Sequence, residues 1–144
     1  MKFWDSSAIL PLLVNETTTS IMLGLLRSTN AMSVWWGATV ECVSALARLE
    51  REHNLSTRNM RLALQRLEDL DIFWHEVAPT ERVRQTSTRL LRTYNLRAAD
   101  ALQLAAAIVA AEQIPTSLDF ICLDKRLISA ADREGFRILP HNIE

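Results

Sequence analysis

The sequence predicts an α/β fold in which helices pack on a short, mostly parallel sheet of four to five strands, with about seven helices in all. Three observations carry that reading. Short runs of strand formers alternate with segments of helical period along the chain. Residues 120–123 (FICL) form a continuous apolar run of the kind found in parallel strands covered on both faces. Residues 98–111 are apolar almost all round, the pattern of a helix buried on most sides.

Each element follows from local chemistry. Residues 1–5 (MKFWD) read as a strand that delivers Asp5 to a strand-to-helix junction. Ser6 and Ser7 offer an N-cap for a helix over 8–14, with Pro11 near enough to its start to be tolerated. A helix over 17–27 places Ile21, Met22, Leu25 and Leu26 on one side, and 31–34 is long enough only for a strand. Residues 39–53 set Val43, Leu46, Ala47 and Leu49 against Arg48, Glu50, Arg51 and Glu52, an amphipathic helix. Ser56 or Thr57 caps a further helix through Met60, Leu64, Leu67 and Leu70. Residues 72–77, ending before Pro79, are rich in strand formers, and Thr80 precedes a helix that reaches Tyr94–Asn95 and carries Arg82, Arg84, Arg89 and Arg92. After FICL, a helix over 125–134 is closed by Gly135, and 136–139 make a last short strand.

At 144 residues the expectation is one domain spanning 1–144. A chain of this size buries roughly 68% of its unfolded surface, so it needs neither disulfides nor a structural metal. Cys42 and Cys122 have no CxxC or Cys/His spacing, which argues against a zinc module or redox pair and leaves both as core thiols. Three glycines, four prolines and no low-complexity tract mark no linker. A net charge of −1 excludes global electrostatic attraction to nucleic acid, so any such site must be local, although fourteen of the sixteen cations are arginines. The N-terminus makes a poor signal peptide, and 98–111 is too short to span a bilayer of roughly 30 Å. The chain reads as soluble and cytoplasmic, with no membrane partner.

In an open parallel sheet, ligands bind beyond the carboxyl ends of the strands, and four acids stand out there. Asp5 ends the first strand, Asp124 follows FICL, Asp100 lies in the first turn of the most buried helix, and Glu41 lies beside the apolar stripe of its own helix. Each has an ordinary structural role open to it: Asp5 and Asp124 as N-caps, Asp100 as an acid complementing the helix dipole, Glu41 in solvent. Unpaired buried carboxylates are costly and call for a cation, hydrogen bonds or a raised pKa.

The segments FWDSSAILPLL, VECVSALARLE, LRAADALQLAAA and FICLDKRLISAADREGFRIL resemble, in order and spacing, the four acidic motifs of the PIN-domain ribonucleases, in particular the VapC-type toxins of toxin–antitoxin pairs. The resemblance covers essentially the whole chain and implies a three-layer α/β/α PIN-like fold. It implies that Asp5, Glu41, Asp100 and Asp124 form a quartet binding divalent metal, with Ser7 supporting it, and that a homodimer and a VapB-like antitoxin are partners. Cys122 departs from the Thr or Ser usual two residues before the fourth acid, and Asp119 is a substitute candidate for Asp124.

The chemistry can be argued without the family. Oxygen-only ligands suit Mg²⁺, with Mn²⁺ a possible substitute, rather than zinc, and His53, His75 and His141 lack ligand spacing. Four carboxylates without a cation repel one another, so at least one raised pKa is expected. The expected reaction is hydrolysis of an RNA phosphodiester by a metal-activated water, which needs no nucleophilic side chain. Asp5, Asp100 and Glu41 would hold the principal ion, and Asp124 a second ion or the water. Arg82, Arg89, Arg92 and Trp35 or Trp36 are candidates for contacting RNA, though a solvated helix face and ordinary core aromatics are the simpler account of them. Apolar residues near the N-terminus and over 56–70 exceed what the core needs and suggest a partner surface. Two other readings remain: a catalytically silent PIN-like binding module, and a metal-dependent phosphohydrolase of another α/β family, for which the D-S-S after the first strand is the wrong motif.

Overall fold

The computed structural model describes residues 1–28 and 31–141. The order of elements is β1 (Lys2–Trp4), α1 (Ser6–Leu13), α2 (Thr19–Ser28), β2 (Met32–Trp35), α3 (Ala38–Arg51), α4 (Thr57–Phe73), β3 (His75–Val77), α5 (Glu81–Thr93), α6 (Ala98–Ala110), β4 (Asp119–Ile121), α7 (Lys125–Arg133) and β5 (Arg137–Leu139). Every strand pair is parallel, in the order β3-β2-β1-β4-β5. The chain thus builds outward from β1 on one side, then returns to its other side, and the two halves meet where β1 pairs with β4. Such a reversal leaves a crevice at the carboxyl ends of the two strands.

Period-two alternation divides the core into two halves. Phe3, Trp35 and Phe120 face one layer, with Val83, Leu90, Leu104 and Leu127 from α5, α6 and α7. Trp4, Val34 and Ile121 face the other, with Ile9, Met22, Leu46 and Leu67 from α1 to α4. Phe3 stacks on Phe120 across the β1–β4 pair, ring centroids 5.5 Å apart. This is the expected three-layer α/β/α arrangement, and the middle of α6 is buried, Ala101 and Gln103 through Ile108.

Three local expectations are corrected. Asp5, not Ser6 or Ser7, is the N-cap of α1, and Pro11 lies well inside that two-turn helix rather than in its first turn. Ile72 and Phe73 are the last residues of α4, not the start of a strand, and are exposed at 79% and 76%. Their strand propensity is overridden by the continuing helix, and β3 keeps only three residues. The fourth strand is Asp119–Ile121, so Cys122 and Leu123 lie in the connection that leads to Asp124. Gly135, at φ +104°, supplies the left-handed residue that ends α7, as its position predicts.

Candidate active site

The four carboxylates arrive from four elements. Asp5 is the residue after β1, and its backbone N–H donates to the Ile121 carbonyl at 2.9 Å, which locks it to β4. Asp124 caps α7, Glu41 lies in the first turn of α3, and Asp100 in the first turn of α6. All four line one open cavity of about 520 Å³, together with Ser6, Ser7 and Arg48. The ordinary capping roles of Asp5 and Asp124 are real, and both acids face the cavity as well. Asp119 is elsewhere: it pairs with Lys2 and Arg137 at the opposite end of the strands, 3.5 Å from the Arg137 guanidinium.

Asp5, Glu41 and Asp124 are held by protein donors. Ser7 donates both its backbone N–H (3.1 Å) and its hydroxyl (2.5 Å) to Asp5 Oδ2, and the Cys122 thiol approaches the same oxygen at 3.5 Å. Among the described residues Oδ1 accepts nothing. The Ser7 hydroxyl also accepts from the Leu123 N–H at 2.9 Å, so one side chain ties the ends of β1 and β4 together. Glu41 accepts from the Ser6 hydroxyl at Oε1 (3.1 Å) and from Gln103 Nε2 at Oε2 (2.9 Å). Asp124 Oδ1 accepts from the Arg126 and Leu127 N–H groups at 3.0 and 3.1 Å.

Burial first, and the charge of neighbouring acids second, set the electrostatics of the site. Burial pushes the Asp5 carboxyl above the usual range, with Asp124 adding to the effect and Ser7 opposing it. Glu41 is pushed up to about 7, first by burial, then by the charge of Asp5; the bonds from Gln103 and Ser6 pull the other way. Burial and Asp124 raise Asp100, while Arg97 and Arg126 counter them. Cys42 is raised to about 12 and Cys122 further, each mainly by burial, and both are free thiols in the core.

The donor set is all oxygen and gathered in one cavity, and Asp5, Glu41 and Asp100 are raised in pKa first by burial and then by neighbouring acid charge; these properties fit a hard divalent cation. As placed, no three His, Cys, Asp or Glu side chains among the described residues stand in ligating geometry around one point.

Sequence reasoning missed Gln103 and Arg48. Gln103 is fully buried and is the lone polar residue in the apolar stretch after Asp100; that isolation was the available signal. The candidate RNA contacts do not gather here. Trp35 is in the core, Arg89 pairs with Glu134 at 2.8 Å, and Arg89 and Arg92 line a separate shallow cavity on α5.

Two Mycobacterium tuberculosis proteins, ribonuclease VapC45 (strain CDC 1551 / Oshkosh) and ribonuclease VapC49 (strain ATCC 25618 / H37Rv), are each 31% identical to the chain over 145 residues, covering 99% of it and 96% of the relative. Among solved structures, FitAcB from Neisseria gonorrhoeae shares the fold with a TM-score of 0.66 at 19% identity, covering 97% of both chains. A toxin–antitoxin complex from Klebsiella pneumoniae gives 0.58 at 16% identity, covering 88% of this chain and 89% of the other. No protein-family model matches the sequence.

Proposed function

The chain belongs to the VapC family of PIN-domain ribonucleases, and from that membership we propose that it is the RNA-cleaving toxin of a toxin–antitoxin pair, a Mg²⁺- or Mn²⁺-dependent endoribonuclease. In this reading Asp5, Asp100 and Glu41 hold the principal cation, and Asp124 holds a second cation or orients the attacking water. The observation that carries it is the convergence of four carboxylates, from four elements and both helical layers, on one cavity.

A bound Mg²⁺ or Mn²⁺ supplies positive charge at the scissile phosphate and lowers the pKa of water. The protein's part is positioning. Ser7 fixes Asp5 through Oδ2, and Oδ1 accepts no hydrogen bond among the described residues. The first turn of α7 fixes Asp124 through Oδ1 in the same way. Glu41 is steered from both helical layers, by Ser6 on α1 and Gln103 on α6, so its carboxylate is pre-oriented. Water adds to phosphorus, one phosphorus–oxygen bond of the backbone breaks, and the departing oxygen takes a proton; no side-chain nucleophile takes part.

The partners that follow are single-stranded RNA, an antitoxin of the VapB type and a second copy of the chain. The Klebsiella neighbour is itself a toxin–antitoxin complex, and Ile72, Phe73 and Leu62 of α4 offer apolar surface for a protein partner. No helix among the described residues is long and apolar enough to cross a membrane.

The test is incubation of total RNA with purified protein in Mg²⁺, in Mn²⁺ and in EDTA, beside the Asp100→Asn variant. Discrete products that require the cation and vanish in the variant are expected. Cleavage that persists in EDTA, or in Asp100→Asn, would refute the mechanism, and no cleavage in any lane would favour a silent binding module.

A further inference from the structure

Asp100 and Asp124 line a second cavity besides the acidic one. It is about 530 Å³ and is otherwise walled by Arg97, Ala99, Lys125 and Arg126. We propose that this basic bay is a phosphate-binding subsite that seats the backbone of single-stranded RNA next to the acidic quartet, an inference that rests on the ribonuclease reading above.

The three cations make no direct pair with any acid among the described residues. Arg84, Arg89 and Arg137 are paired with Glu81, Glu134 and Asp119. Arg97, Lys125 and Arg126 are exposed and, among the described residues, their side chains make no hydrogen bond or ion pair. They also stand where helix electrostatics disfavours them. Arg97 is the N-cap residue of α6, and Lys125 and Arg126 are the first two residues of α7, so all three sit at the positive ends of helix dipoles. Unpaired cations kept at such positions, beside a carboxylate site, point to an anion that arrives from outside.

Their position relative to the acids is fixed by the chain. Arg97 precedes Asp100 by three residues, and Lys125 and Arg126 directly follow Asp124. Arg97 and Arg126 are near enough to Asp100 to oppose the rise in its pKa. Arg48 lines the acidic cavity itself. Asp100 and Asp124 therefore have positive charge beside them in both cavities they line, an arrangement suited to a backbone with phosphates next to the one being cut. The alternating charge is local, in keeping with a chain whose net charge is −1. A patch confined to two helix ends is too small to span the ~16 base pairs a double-stranded RNA module covers, so a single strand is the matching form.

The test uses a fluorescein-labelled single-stranded RNA and fluorescence anisotropy with Mn²⁺ present, in a Glu41→Gln background that keeps the strand intact. Arg97→Gln/Arg126→Gln is compared with Arg58→Gln/Arg61→Gln, which removes the same charge from exposed positions on α4. The bay pair is expected to weaken binding about 10-fold and to flatten the slope of log K against log salt by about 1.4, the loss of two phosphate contacts to a single strand. The α4 pair should move both far less. In the otherwise wild-type enzyme, the bay pair should raise KM with kcat nearly unchanged. No binding by the parent protein, an unchanged slope in the bay variant, or an equal loss in the α4 variant would overturn the subsite. If the parent cleaves no RNA but the bay pair still flattens the slope, the ribonuclease reading fails and the subsite stands. If it cleaves and neither KM nor slope moves, the subsite fails alone.

Discussion

Gln103, fully buried in α6, donates its side-chain N–H to Glu41 Oε2 on α3 at 2.9 Å, a bond that joins the two helical layers across the end of the sheet. The Gln103 carbonyl oxygen has no partner among the described residues. A buried amide kept with half its capacity unmet is poor for stability and is explained by what its other half holds.

Replacing Gln103 by leucine should therefore separate the two effects. Stability is expected to stay within about 1 kcal/mol of the parent, because removing the unsatisfied Gln103 Oε1 offsets the loss of the donor to half-buried Glu41. Mn²⁺ affinity, measured by calorimetric titration, should fall about 10-fold, the usual effect of removing a partner that orients a ligand. Unchanged affinity would show that Glu41 needs no such guide.

Ser7 invites the opposite result. Its hydroxyl serves Asp5 and the Leu123 N–H together. Ser7→Ala should cost about 1–3 kcal/mol in urea unfolding, since it strands a partly buried N–H and loosens Asp5. A change near zero would mean that water replaces the hydroxyl at both partners.

Stability should also depend on pH in chelator. Glu41 is raised from 4.5 to about 7, so the folded protein binds more protons than the unfolded chain between those values. That stability is fully present below pH 4.5 and is lost as pH rises through about 7, with Asp5 and Asp100 acting in the same direction. Glu134, lowered by Arg89 and Tyr94, has the opposite sign, its contribution being lost only as pH falls below the usual glutamate range. The fall from pH 5 to 8 should amount to about 1–2 kcal/mol for Glu41 after allowing for solvent screening, and thermal melts of Glu41→Gln should lose that part of it. A melt profile identical in parent and Glu41→Gln would contradict this.

The thiols give a check on the core. Cys42 and Cys122 are buried and raised in pKa, so neither should react with a disulfide reagent at pH 8 until denaturant is added, when both should. Rapid labelling of Cys122 in the folded protein would mean that the β4–α7 connection opens readily.

How much of this was legible beforehand differs by residue. Asp5 and Asp124 were visible because a parallel sheet puts the carboxyl ends of neighbouring strands at one edge, so acids ending two strands must be neighbours. Gln103 carried only a faint signal, one polar residue on an apolar helix, since its partner lies 62 positions away in the other layer. Ile72 and Phe73 misled because their strand propensity is local, while the helix they close is set by Ala63 and Leu67 packing below. Trp35 was a candidate for base stacking until its strand proved covered on both faces, which leaves only Trp36 exposed, at 53%. The bay at Arg97, Lys125 and Arg126 was hidden for a different reason: its residues are ordinary surface cations until the two helix starts are seen side by side.

The central claim is that the acidic quartet holds the cation. Crystals soaked in Mn²⁺ and recorded at a wavelength giving manganese anomalous signal test it most directly. The account predicts a peak in the acidic cavity within about 2.0–2.6 Å of carboxylate oxygens from Asp5, Asp100 and Glu41, with Ser7 still on Asp5 Oδ2. A cavity without a peak at saturating Mn²⁺, or a cation held by other residues, would contradict it.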